Sequence, residues 1–206
     1  MAITEKRPST KYTVGAQYIC FNTDPDWDSS DFESDVLKLP TVTNIDVKDN
    51  SDSYQSYASG EVYESDTIVT YKEISTTQLA FDEKTIAKMK GDTVDGGIIM
   101  SGGIKTRPYF AYGVPIIKKD GTRDMRWYPK CKLVDNSDAT ATSTDSHSDQ
   151  TDSLTIRAYG FDATQNQEVK VLTAETGNAG ITEAAFFAAP VLTVAAAKAL
   201  RPVTTP

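Results

Sequence analysis

The feature that most limits the fold is the run from Ile116 to Leu133, "IIKKDGTRDMRWYPKCKL". Asp120-Gly121 joins two strand-like stretches. That dipeptide favours a two-residue type I′ hairpin, which needs positive φ at both central positions. Beyond the turn, alternation places Met125, Trp127, Cys131 and Leu133 on one face and Arg126, Tyr128, Lys130 and Lys132 on the other. A period of two with one apolar face predicts a half-buried antiparallel strand. Pro129 has no N–H to donate, which predicts an edge position or a bulge. The cations then line a surface that faces solvent or a partner. They do so in an acidic chain, with 21 Lys and Arg against 29 Asp and Glu and a net charge of −8. That balance argues against a protein that grips nucleic acid, because grip comes from cations neutralising phosphates.

The rest of the 206 residues is organised around strands. "KYTVGAQYIC" alternates through Tyr12, Val14, Ala16, Tyr18 and Cys20. "LPTVTNIDV", "EVYESDTIVTYKEIST" and "RPYFAYGVPIIKK" are rich in β-branched and aromatic residues. "SLTIRAYGFDATQNQEVKVLT" predicts two strands around a polar turn. One helix is predicted over 82–90, with Asp82 as its cap, Phe81 stapling onto Ile86, and Gly91 as its stop. Ile86 and Met89 share its apolar face. A second, short helix fits "TEAAFFAA", capped by Thr182 and ended by Pro190, and the tail "LRPVTTP" carries no anchor. Residues 22–35, 48–60 and 135–152 are polar and predict long loops, and "GDTVDGGIIMSGGIK" predicts a flexible connector. The sum is a mostly β chain, an antiparallel β-sandwich or half-barrel with one flanking helix.

Motifs for chemistry are weak. Asp24, Asp26, Asp28 and Asp35 fall at positions one, three, five and twelve of a calcium loop. Ser29 stands where the loop needs glycine, the twelfth residue is not the bidentate Glu, and the flanks are not helical, so an acidic solvated loop is the better reading. The single histidine, His147, lies beside Asp145 and Ser146 in a Ser/Asp-rich loop, where no rigid frame could assemble a triad. Two separated cysteines, Cys20 and Cys131, make neither a zinc site nor a disulfide framework, and predict buried free thiols. The glycines of "DGGIIMSGGIK" follow a helix and match no phosphate loop. No catalytic residue, cofactor or metal is expected. "MAITEKRPSTKY" shows no signal peptide, and "AAFFAAPVLTVAAAKAL", broken by Pro190 and Lys198, is too short to span a bilayer.

The order of elements resembles a known family. Pro108, Tyr109, Ala111 and Gly113, then Asp120 and Gly121, then Arg126, Trp127 and Tyr128, are similar to a strand–turn–strand pattern of the major tail proteins, or tail tube proteins, of long non-contractile-tailed phages of Gram-positive bacteria. "LKLPTVTNIDV" and "YASGEVYES" upstream and "SDSLTIRAYGFDA" downstream resemble flanking segments, so the order holds from about Tyr12 to Leu172. Ser59-Gly60 replaces the family's usual acidic pair, and Pro129 interrupts its basic strand.

The resemblance implies a single tail-tube domain over 1–206, with an N-terminal arm at 1–11 and a C-terminal extension at 191–206. It implies no enzymatic activity. It implies hexameric rings whose inner strands join into one barrel, stacked head to tail into a tube through which double-stranded DNA passes without tight binding. Such tubes are similar in fold to those of type VI secretion systems. The implied partners are other copies of the chain, a tape measure protein, a distal tail protein and a tail terminator, with no membrane contact. The implied location is the virion, after assembly in the host bacterial cytoplasm. In such a stack the basic hairpin (Lys118, Lys119, Arg123, Arg126, Lys130, Lys132) is expected to meet acidic loops of a neighbour, through Asp24, Asp26, Asp28 and Asp31 or through Asp145 and Asp149. The remaining acids would face the lumen. The alternative is a β-sandwich module that binds carbohydrate or a receptor.

Overall fold

The computed structural model describes residues 7–138, 140, 142 and 150–202. Among these described residues, eleven strands and three short α-helices follow in order. β1 (Lys11–Val14), β2 (Gln17–Phe21), β3 (Leu37–Leu39), β4 (Val42–Ala58) and β5 (Glu61–Gln78) lead into α1 (Glu83–Lys90). A small ribbon of β6 (Thr93–Asp95) and β7 (Ile98–Met100) precedes β8 (Phe110–Lys118), β9 (Arg123–Ser137), β10 (Asp152–Ala158) and β11 (Val169–Leu172). α2 (Glu183–Phe186) and α3 (Val194–Ala199) end the chain. The main sheet runs β3-β2-β8-β9-β10-β5-β4, with β1 added to β8 and β11 to β9, and every pairing is antiparallel.

The sheet curls on itself. Ile45, Val47 and Ile74 from β4 and β5 share one core cluster with Val14, Ile19, Phe21 and Leu39 from the opposite end of the strand path. The buried Gln17 amide on β2 donates to Gln78 Oε1 on β5 at 2.9 Å, across that closure. The two layers of the expected sandwich are thus halves of one curved sheet. α1 packs on the same cluster through fully buried Met89. Its ends are as the sequence predicts. Asp82 accepts from Thr85 N at 2.9 Å, satisfying a donor that has no intrahelical partner. Gly91 closes the helix at φ 75°, a left-handed conformation that glycine adopts without a Cβ penalty.

A second core lies on the outer face of β2, β8, β9 and β11. The chain after residue 180 covers it. Phe187 stacks on Tyr18 at 4.1 Å, and Trp127 Nε1 donates to Phe186 O at 3.0 Å. Gly113 makes this fit possible, since a Cβ there would lie 2.8 Å from Phe187 and 2.9 Å from Trp127. β2 is therefore buried on both faces, although its alternation with β1 reads as a single half-buried strand. α2 forms where expected, with Thr182 Oγ1 accepting from Ala185 N. Part of the tail is anchored, against expectation: Leu200 packs on the second core, and Arg201 Nε donates to Asn178 Oδ1 at 3.0 Å. Cys20 and Cys131 are both free thiols buried in the two cores.

Two local expectations are corrected, and a third, for Pro129, is decided between its two alternatives. The hairpin after Lys118 is not type I′. Only Gly121 has positive φ (81°), and Gly121 N bonds Lys118 O while Lys118 N bonds Thr122 O, which is a type I turn closed by a left-handed glycine. Pro129 marks a bulge on a central strand, not an edge. From Tyr112 to Phe110, β8 advances two residues while β9 advances three, from Tyr128 to Cys131. The odd residue flips every side chain beyond it. Met125 and Trp127 consequently point to the second core, while Tyr128, Cys131 and Leu133 point to the first. Pro129 also sits where β9 changes partner, from β11 at Trp127 to β10 at Cys131, so no ladder bond is lost there. Finally, 48–60 is not a loop. It is the outer part of the hairpin β4–β5, turned at Ser59 (φ 54°) and Gly60 (φ 86°), the type I′ geometry expected elsewhere.

Candidate assembly interface

The bulge redistributes the cations expected on one face. Arg126 lies opposite Val114, on the same side as Tyr128. Lys130 and Lys132 lie on the other side. Lys118 is held by Asp124 at 2.7 Å and Arg123 by Glu183 at 3.4 Å, both within the subunit. Lys119 is exposed at the turn. The hairpin is therefore not a single cationic face. Lys118 and Asp124 are both largely shielded from solvent, and a charge already paired within its own subunit offers less to a partner.

Lys130 and Lys132 form a different arrangement. Among the described residues neither has a carboxylate within ion-pair distance. Instead Lys132 Nζ sits 4.0 Å from the Tyr109 ring centre, and Lys130 Nζ lies 5.2 Å from Tyr109 and 5.4 Å from Trp27. Cations over ring faces are attracted by the ring quadrupole. Partial burial and then the neighbouring Lys132 charge hold the Lys130 ammonium below the usual lysine range. Trp27 edges onto Tyr109 and Phe32 and adopts φ 64°, a backbone conformation rarely seen for a bulky side chain. Trp27 and Tyr109 complete the patch, and charge patterning alone passes over both. A lone tryptophan in the acidic run "DPDWDSSDF" is the signal that could have marked it. The chain's own lysines lie against both of these rings.

Of the acidic candidates, Asp24 is committed within its own loop. Its carboxylate accepts from the N–H groups of Asp26, Asp28 and Ser29 at 3.0, 2.6 and 2.9 Å. Those backbone bonds hold it below the usual carboxylate range. It organises the turn, and no cluster of metal-binding side chains occurs among the described residues. Asp26, Asp28 and Asp31 are exposed on the same loop, which folds against Lys130 of its own subunit through Trp27. Asp145, Asp149 and His147 lie outside the described residues. No helix of the described chain is long and apolar enough to cross a membrane.

The loop reading overlooked one unpartnered surface. β10 pairs with β5 only from Lys72 to Gln78. Beyond Val69, which Gln167 Nε2 anchors at 2.9 Å through its carbonyl, β4 and β5 continue as a bare two-stranded ribbon. Tyr54, Tyr57, Tyr63 and Ile68 are all at least 64% exposed on it. A two-stranded ribbon alone is marginal in water, and large exposed apolar groups mark interaction surfaces. The β6–β7 ribbon, in place of the expected flexible connector, shows Ile98 and Met100 in the same way and is braced by Lys105 on Asp92 and on Met100 O.

No family model matches the chain, and no curated protein does. Among solved structures the chain is similar to the tube-terminating cap of the anti-feeding prophage, at 8% identity and a TM-score of 0.47, over 84% of this chain and 96% of that one. It is also similar to a chain of the PVC sheath–tube complex of an extracellular contractile injection system in the extended state, at 7% identity and 0.43, over 80% and 92%. A third likeness is to a chain of the anti-feeding prophage baseplate, at 6% identity and 0.44, over 81% and 97%. At these scores the likeness assigns neither a family nor a function.

Proposed function

We propose that this chain is a structural subunit of a phage tail tube, which assembles with copies of itself into stacked hexameric rings around a conduit for double-stranded DNA. The observation that carries the reading is the outer β4–β5 ribbon. It adds seventeen- and eighteen-residue strands to a sheet whose third strand stops at Lys72, and leaves both of their outer faces open. Such a ribbon gains order from a neighbouring molecule. The family resemblance from Tyr12 to Leu172 supports another copy in a closed ring as that neighbour. On this reading a tape measure protein, a distal tail protein and a tail terminator are the further partners, in the virion.

The acidic balance fits a conduit. A charge of −8 is repeated in every subunit, and like charge within about a Debye length of 8 Å repels a phosphate backbone instead of holding it. The test is direct. Concentrated protein viewed by negative-stain electron microscopy forms tubes of uniform bore, and those tubes retain no duplex DNA in a gel shift at low salt. Monodisperse single subunits at every concentration overturn the proposal. Salt-sensitive DNA retention by the tubes overturns the conduit.

A further inference from the structure

The outer ribbon has two chemically different faces. Cross-strand partners lie side by side on one face, and alternate residues share it. The register pairs Asp52 with Ile68, Tyr54 with Asp66, Ser56 with Glu64 and Ala58 with Glu61. Four carboxylates, Asp52, Glu61, Glu64 and Asp66, therefore fall on one face. The opposite face pairs Ser53 with Thr67, Gln55 with Ser65 and Tyr57 with Val62, and holds no charge. From Asp49 to Tyr71 there is no Lys or Arg. None of the four carboxylates has a cation within ion-pair distance among the described residues.

We infer that the acidic face of this ribbon docks on the Lys130–Lys132 patch of a second copy of the chain. The inference rests on the assembly reading above and names the contact it would use. Three observations select this pairing. First, the two lysines are the members of the basic hairpin that stand side by side on one strand face with no carboxylate within ion-pair distance among the described residues, and their ammonium groups lie against the Tyr109 and Trp27 rings. A pre-placed charge pair loses less freedom when a partner arrives. Second, the spacings agree. Lys130 and Lys132 are two residues apart on a strand, as are Glu64 and Asp66, so each pair spans roughly 6.6 Å. Third, no described carboxylate of the same subunit pairs with either lysine. The acidic loop 22–35 reaches Lys130 with the Trp27 ring, and its Asp24 carboxylate is already bound to backbone N–H groups. Partial burial first, and then the adjacent Lys132 charge, disfavour the charged form of Lys130, and an incoming carboxylate offsets the second of these. The uncharged face, with Tyr57 and Val62, remains for a second contact of the ribbon.

The test is a charge exchange in the full chain, read by sedimentation and negative-stain microscopy. Lys130→Glu with Lys132→Glu, and separately Glu64→Lys with Asp66→Lys, each raise the critical concentration for assembly by roughly a hundred-fold, because attraction at two sites becomes repulsion. The four-fold exchange, which restores opposite charges, recovers assembly to within about ten-fold of the parent. Circular dichroism melts check that each variant is folded. Assembly of either double variant at the parent's concentration overturns the contact while leaving the tube reading intact. So does a folded four-fold variant no better than the doubles. A parent chain that never assembles overturns both.

Discussion

The inner and outer halves of the β4–β5 hairpin are one pair of strands in two environments. In the inner half, β10 lies along Lys72–Gln78, and Ile74, Thr76 and Gln78 are buried. In the outer half, from Ser51 to Val69, the same two strands stay paired, through one bulge between Ser56 and Tyr57, with no third strand beside them and nearly every residue exposed. The difference teaches that hairpin pairing and core membership are separate properties. Pairing is set by the two strands and their turn. Burial is supplied by distant segments, here β10 and the far end of the curled sheet.

The widest separation between the halves comes from removal. Replacing 51–69 by a two-residue Asn-Gly turn leaves a folded subunit whose thermal midpoint is unchanged and abolishes assembly at every accessible concentration. A chain that fails to fold shows the outer half to be part of the core after all.

Next in size is a pair of single truncations. Ile74→Ala, at a fully buried position, costs about 2–5 kcal/mol in urea unfolding of the subunit, the range for a buried large-to-small change. Ile68→Ala, on the outer half, stays within about 0.5 kcal/mol, as exposed positions do. Equal losses erase the distinction.

A smaller effect concerns the helix next to the inner half. Asp82→Ala removes the acceptor for Thr85 N and costs about 1 kcal/mol by the same measurement, with no change in amide exchange of the outer ribbon. Coupled loss of protection in the ribbon would mean that the halves unfold together.

The least effect is a pH dependence confined to the core. Burial pushes the Cys20 thiol up to about 11. A folded-state value raised above the ordinary value of about 8.5 adds stability that is complete below that value and is lost as pH rises through the folded one. Between about pH 8.5 and 11 the global melting temperature therefore falls, while exchange in the outer ribbon, which has no buried titrating group, keeps its ordinary pH dependence. Ready reaction of Cys20 with a thiol reagent at pH 8 in the folded chain contradicts its burial.

Sequence by itself determined the features whose causes lie within a few residues. α1 is bounded by the Asp82 cap and the left-handed Gly91, both readable because a cap acts on donors and acceptors in the adjoining turn. Strands β10 and β11 and the Thr182 cap of α2 were legible for the same reason. The two thiols were legible from their apolar neighbours. Tertiary structure decided the rest. The polar run 48–60 carries no alternation of apolar and polar residues, so only its pairing with β5 makes it a strand. β2 became buried on both faces because a segment more than 160 residues later in the chain covers it, as the bond from Tyr18 to Glu183 records. The candidate site divides in the same way. Lys130 and Lys132 are visible as charges in the sequence, and Pro129 warns of a bulge. Which face they occupy depends on a one-residue offset against β8, and their aromatic support comes from Trp27 in a loop far along the chain. Side-chain facing alternates with every residue, so a single extra residue, invisible to composition, reverses which partner a charge can meet.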